Sequence, residues 1–332
     1  MAAMKYAITL VILAAGLTLA TGCGSDADST QQNTGDAGQS DTTQTDTNQP
    51  DTNQQDAGGD AALAPPWDAS APLGGDRPAR VILPNAYDRT QSWPLVVLLH
   101  GYTATGPLQD AYFGLSRRGD ERGFITVLPN GTQDGAGNRF WNATDACCNF
   151  GGSSVDDVQY LSDLLAEAKE RLAVDADRVY FMGHSNGGFM SYRMACELGS
   201  EIAAIASLAG SAFDDAQDCA ENGQVGVLQI HGDADETVLY DGGQFAGNAY
   251  PGAREVAERW AARNGCDAQA QTGEAADLDK DVDGAESDIE QWGGCEADRR
   301  VELWSIRGGG HIPSLSDDFT DRVLDFLFAH SR

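Results

Sequence analysis

Ser185 stands in the run Tyr180 to Met190, YFMGHSNGGFM, with Gly183 and Gly187 two residues to either side. A serine hydroxyl is a weak nucleophile until a base takes its proton and a third group orients that base. With 39 glycines in the chain, glycines flanking one serine decide little alone. Two later segments supply candidate partners. Ile230 to Val238, IHGDADETV, offers Asp233 and Asp235, and Val301 to His311, VELWSIRGGGH, offers an imidazole behind three glycines that leave it room to swing. His100, His184 and His231 compete with His311 for the role of base. His100 and His231 close apolar runs without a glycine lead, and His184 adjoins the serine and points elsewhere if the serine projects outward. Taken singly, an aspartate after a strand is more often a helix cap, and a histidine after glycines more often a loop residue.

What would bring the three together is the order of elements around them. Pro94 to His100, Phe124 to Pro129, Arg178 to Gly183, Ile202 to Leu208, Val225 to His231 and Val301 to Ile306 are short apolar runs, as expected of strands buried on both faces. Between them, Val158, Leu161, Leu165, Ala168 and Leu172 recur at helical spacing, with Ser154 or Asp156 available at the start. Asn186 to Leu198, Ala253 to Asn264 and Phe319 to His330 also read as helices. Such alternation predicts an α/β fold, a mostly parallel central sheet with helices on both faces, whose functional groups gather beyond the carboxyl ends of the strands. Ser185, Asp235 or Asp233, and His311 each follow a strand, in the chain order of an α/β-hydrolase. In that fold a sharp strand-to-helix turn needs small flanking residues, which Gly183 and Gly187 provide. The turn after the first apolar strand and the residue after the nucleophile supply backbone N–H groups to an oxyanion, here those of Tyr102 and Asn186.

These residues resemble a family, the secreted esterases grouped as polyhydroxybutyrate depolymerases and feruloyl esterases of the carbohydrate-esterase 1 type. The matching pieces are PLVVLLHG (Pro94 to Gly101), WNATDACC (Trp141 to Cys148), VDDVQYL (Val155 to Leu161) and RVYFMGHSNGGFMSYRMACE (Arg178 to Glu197), with the Asp235 and His311 segments and WAARNGC (Trp260 to Cys266). The resemblance implies hydrolysis of carboxylic esters by Ser185, His311 and Asp235, favouring Asp235 over Asp233. It departs at Tyr102, where relatives often carry Cys. It departs again after His311, where Ile312-Pro313-Ser314-Leu315 replaces a tryptophan and proline. Trp141 is a candidate to line a groove for phenolic or polymeric esters.

Composition sets the compartment. Lys5 precedes the apolar run Tyr6 to Ala20, and Leu19-Ala20-Thr21-Gly22-Cys23 resembles a bacterial lipobox, so residues 1–22 read as a lipoprotein signal peptide and Cys23 as the lipidated residue. Residues 23–66 are rich in Asp, Thr, Gln, Asn and Gly and cannot bury enough apolar surface to offset their ordering entropy, which predicts a disordered acidic tether spanning roughly 35 Å. Residues 67–332 are left as one α/β-hydrolase catalytic domain, expected at the cell envelope or outside the cell. A net charge of -30 repels phosphate backbones and argues against a nucleic-acid partner. Six cysteines remain after Cys23, an even set that favours disulfides in an exported chain. Cys266 with Cys295 and Cys196 with Cys219 would leave Cys147 and Cys148 adjacent, and other pairings stay open.

Asp279, Asp281, Asp283, Gly284 and Glu290 fit the spacing of a calcium loop, but Glu286 stands where such loops carry an aliphatic residue. A solvated acidic insertion is the expectation there, with any ion structural. The predicted chemistry needs neither metal nor cofactor. The rival reading is a non-catalytic surface lipoprotein that keeps this fold and binds a polymer.

Overall fold

The computed structural model describes residues 72–219 and 223–332, so the leader, Cys23 and the acidic segment lie outside the described residues. Strands β1 (Arg80–Ile82), β2 (Trp93–Leu99), β3 (Ile125–Leu128), β4 (Val174–His184), β5 (Ala204–Leu208), β6 (Gly226–Gly232), β7 (Gln271–Thr272), β8 (Ser287–Trp292) and β9 (Val301–Ile306) build one nine-stranded sheet. Its spatial order is β1-β3-β2-β4-β5-β6-β9-β8-β7. From β3 across to β9 every neighbouring pair is parallel, while β1, β8 and β7 join antiparallel at the two edges.

The parallel strands read as unbroken apolar runs because both of their faces are covered. Leu95, Val97 and Leu99 of β2 pack into one core with helices α2 (Asp157–Arg171), α3 (Asn186–Glu197) and α4 (Ala253–Arg263). The alternate residues Val96 and Leu98 belong to a second core, shared with α1 (Gly106–Phe113) and α5 (Phe319–Phe328). β8, next to the edge strand β7, differs, since SDIEQW mixes buried Ser287, Ile289 and Trp292 with exposed or half-exposed polar residues, as a strand with partly wet faces should. That mixture, with few apolar residues, is why it did not stand out as a strand from hydrophobicity alone.

Helix α2 starts where Asp156 accepts the N–H of Gln159 at 2.9 Å, satisfying one of the otherwise unpaired first-turn donors. Cysteines pair as Cys196–Cys219, Cys266–Cys295 and Cys147–Cys148, the last pair being chain neighbours joined through a cis peptide bond.

Candidate active site

β4 ends at His184 and α3 begins at Asn186, so Ser185 alone turns the chain. It does so at φ 55° and ψ -120°, a conformation that costs a non-glycine residue about 1–3 kcal/mol and is held by its surroundings. The Ser185 N–H donates to Leu208 O at 2.8 Å. A Cβ on Gly183 would collide with Gly187 O, and one on Gly187 with Leu99 O, so the turn closes only because both flanking residues lack side chains.

The loops after β6 and β9 meet this turn. The Ser185 hydroxyl lies 2.9 Å from His311 Nε2, and His311 Nδ1 lies 2.8 Å from Asp235 Oδ2. The carboxylate can only accept, so Nδ1 carries the hydrogen and Nε2 is left to take one from the serine. Asp235 is 4% exposed, and its Oδ1 accepts the N–H groups of Thr237 at 2.8 Å and Val238 at 2.9 Å. Burial alone would raise the Asp235 pKa. Hydrogen bonds from His231 and His311 and the Thr237 amide outweigh it, and the carboxyl is held well below the usual carboxylate range. Asp233, the alternative acid, is exposed and instead accepts the N–H of Gly308 at 2.6 Å, fixing the glycine lead of the His311 loop.

The rival histidines are all committed to other partners. His100 donates from Nδ1 to Gly101 O at 2.8 Å and accepts the Gly131 N–H at Nε2 at 2.9 Å. His184 donates from Nε2 to the backbone oxygen of His311 at 2.8 Å, anchoring the residue it competed with. Desolvation, aided in His184 by the nearby His311, lowers the pKa of His100 to about 4 and of His184 to about 3, so both stay neutral in the folded protein near pH 7.

Gly101 comes close enough to Ser185 that a Cβ on the glycine would sit 3.5 Å from that of the serine, which places the Gly101-Tyr102 turn beside Ser185. Among the described residues, neither the Tyr102 nor the Asn186 backbone N–H has a protein acceptor. The Asn186 side chain is fully used: Oδ1 accepts the Trp141 N–H at 2.7 Å and Nδ2 donates to Trp141 O at 2.9 Å.

Trp141 itself needs correction. It is 0% exposed, stacks on Tyr160, and donates from its indole to His100 O at 3.0 Å, so it braces the β2 turn and does not line a groove. Its length and apolar body suit either place, and its burial follows from the clasp by Asn186, the residue after Ser185. An aromatic surface next to the Gly101-Tyr102 turn comes from other residues. Tyr102 meets Phe150 edge to face at 5.6 Å, Phe150 meets Phe245 at 6.3 Å, and Phe150 is 53% exposed.

The acidic insertion also differs from expectation, because part of it is buried. Asp279 Oδ1 accepts the N–H groups of Asp281 and Ser314, both at 3.0 Å, and Asp281 accepts the Ser314 hydroxyl at 2.7 Å. Glu286, the residue at odds with a calcium loop, accepts the N–H groups of Leu278 and Asp279 at 2.9 and 3.1 Å. Glu290 pairs with Arg254. The carboxylates are dispersed onto backbone and arginine, and no cluster able to hold a metal occurs among the described residues. The insertion's role is to clamp the segment that follows His311.

Reasoning from sequence also missed His231 and Gln229 as members of the site's surroundings. The available signal was two polar residues at alternate positions in an apolar strand, QIH, which places both on one face.

The family model described as Esterase PHB depolymerase matches residues 80–270, a stretch that holds Ser185 and Asp235 and stops before His311. Feruloyl esterase B of Piromyces equi is 28% identical over 242 residues, 70% of this chain but only 42% of that protein's length. Feruloyl esterase D of Neurospora crassa is 26% identical over 256 residues, covering 74% of this chain and 77% of that one. Among solved structures, the acetyl xylan esterase from Aspergillus awamori superposes with a TM-score of 0.54 at 17% identity, over 79% of this chain and 97% of its own, a likeness of fold. The family match spans more than half of the chain, and the chain belongs to the esterase PHB depolymerase family.

Proposed function

We propose that this chain is a serine carboxylic-ester hydrolase. The observation that carries the proposal is the continuous line from Ser185 Oγ through both nitrogens of His311 to Asp235, at 2.9 and 2.8 Å. In this reading His311 Nε2 takes the serine proton as Oγ attacks an ester carbonyl. Asp235 keeps the hydrogen on Nδ1 and stabilises the imidazolium that forms. The carbonyl oxygen, now bearing negative charge, is met by the N–H groups of Tyr102 and Asn186, and the second of these opens helix α3 with its favourable dipole. The imidazolium returns its proton to the leaving alcohol, and water then releases the acid from the acyl-enzyme by the same steps in reverse roles.

For the substrate we infer an ester of a neutral or weakly charged compound, small or linked to a polysaccharide or polyester. The acidic composition disfavours anionic polymers, and the exposed Phe150 and Ile312 offer apolar contact near Tyr102 and His311. The feruloyl and acetyl xylan esterases among the relatives support the same class. The lipobox at Cys23 and the composition of residues 23–66 support an exported domain tethered by lipid to a membrane.

The test is labelling by a fluorophosphonate probe together with turnover of a short chromogenic ester. Wild type should label at one residue and turn over, and Ser185→Ala should do neither. Folded wild type that neither labels nor turns over would favour the non-catalytic binder.

A further inference from the structure

In β6 the polar residues Gln229 and His231 lie on one face of the strand, 0% and 1% exposed. The Gln229 side chain has three neighbours. Its Oε1 accepts the Tyr192 hydroxyl at 2.8 Å, while its Nε2 lies 2.9 Å from Gly210 O and 3.0 Å from His231 Nδ1. A backbone oxygen only accepts, so the amide nitrogen must be the end facing Gly210, and its second hydrogen goes to His231 Nδ1. That nitrogen is thereby an acceptor, and the hydrogen of the His231 ring sits on Nε2. Nε2 lies 2.8 Å from Val238 O and 3.3 Å from Asp235 Oδ2. Oδ2 is the oxygen that receives His311 Nδ1.

From this chain, resting on the serine-hydrolase reading above, we propose that His231 is a positioning residue for Asp235. Tyr192 orients Gln229, Gln229 selects the His231 tautomer, and the Nε2–H of His231 donates to the Val238 carbonyl with its positive end beside the carboxylate of the same loop. Without it, Asp235 would keep the Thr237 and Val238 amides on Oδ1 but lose the N–H dipole that lies beside Oδ2 and helps fix its direction. His311 would then visit the serine in a wider range of orientations. Ground-state binding of the ester is untouched by this change, so the effect belongs to kcat. The titratable groups facing His231 are Asp235, Tyr240, whose ring meets it edge on at 5.8 Å, and Tyr192 through Gln229, with His184 nearby.

Two measurements test the proposal. On the wild-type protein, nitrogen-detected NMR of labelled histidine should show His231 protonated at Nε2 and bare at Nδ1; the opposite tautomer overturns the proposal whether or not any variant folds. In kinetics, His231→Leu should lower kcat about 10- to 100-fold, as a small misplacement of a reacting group does, with KM within about twofold. His231→Gln, whose amide can restore a donor toward Asp235, should recover most of that loss, and fluorophosphonate labelling should slow and recover in parallel. A folded His231→Leu protein with wild-type kcat overturns the positioning role while leaving the serine mechanism standing. A wild-type protein that never labels removes the mechanism itself.

Discussion

Asp235 and Asp279 are buried to the same extent, 4% exposed, and each accepts two backbone N–H groups on Oδ1. Asp235 keeps its second oxygen for an imidazole that can gain and lose charge, whereas Asp279 serves only the backbone of its own loop and of Ser314. Burial and hydrogen bonding therefore do not distinguish a chemical site from a structural one. What distinguishes them is whether part of a carboxylate's accepting capacity remains for a group that titrates. Both act on one segment, since Asp235 bonds the His311 ring and Asp279 holds the chain three residues later.

The largest separation between the two should come from Asp235→Asn. The asparagine oxygen can still accept the Thr237 and Val238 amides, so the loop survives. Its amide hydrogens, however, face His311 Nδ1 and favour the tautomer that places hydrogen on Nε2, where the serine proton must go. Turnover of a short ester should fall roughly 10⁴-fold while the unfolding midpoint moves little. A fall in stability without a fall in kcat at saturating substrate would reverse the roles assigned to the two aspartates.

Acid separates fold from chemistry in another way. His100, His184 and His330 have folded-state pKa values lowered from 6.5 to about 4, 3 and 4, chiefly by desolvation. Above pH 6.5 each is neutral folded and unfolded and contributes nothing. As pH falls below that value the unfolded chain binds protons that the folded one refuses, so stability drops by about 1.4 kcal/mol per pH unit for each histidine until the folded pKa is reached. Denaturant unfolding at pH 7 and pH 5 should differ by several kcal/mol. Replacing His330, far along the chain at the end of α5, by an uncharged residue that still folds should flatten the slope without altering kcat at pH 7. An unchanged slope would place the acid sensitivity elsewhere.

Much of this was legible beforehand because hydrophobic burial on two faces leaves an unmistakable trace. The strands Pro94 to His100 and Val301 to Ile306 and the helix after Asp156 were located to within a residue or two. The places of Ser185 and His311 just beyond their strands were legible for a related reason, since a tight turn and a closely packed loop need glycines at fixed places. Trp141 and Asp279 were not, because their fates depend on partners distant in sequence, Asn186 and Ser314, and no local pattern records such a partner. His231 failed for the converse reason. The sequence offers it as a rival base, whereas its ring is held between Gln229 and the Asp235 loop.

The smallest effects on chemistry should come from the clamp. Glu286→Ala removes the acceptor of the Leu278 and Asp279 N–H groups and of the Ser287 hydroxyl, in a place where water has little access. Leaving buried donors unpaired costs about 1–3 kcal/mol each at most, and partial relaxation of the loop keeps the total near the low end. Thermal unfolding should therefore show a lowered midpoint, with kcat at 25 °C reduced only a few fold through looser support of Ser314. Calcium and chelator sharpen the same point, because a loop whose Asp279 and Glu286 are already bound to backbone, Asp281 to the Ser314 hydroxyl and Glu290 to Arg254 has little reason to respond to either. If calcium raised the midpoint of wild type, and Asp281→Ala abolished that rise, the insertion would be an ion site and its likeness to the Asp235 loop would have to be argued afresh.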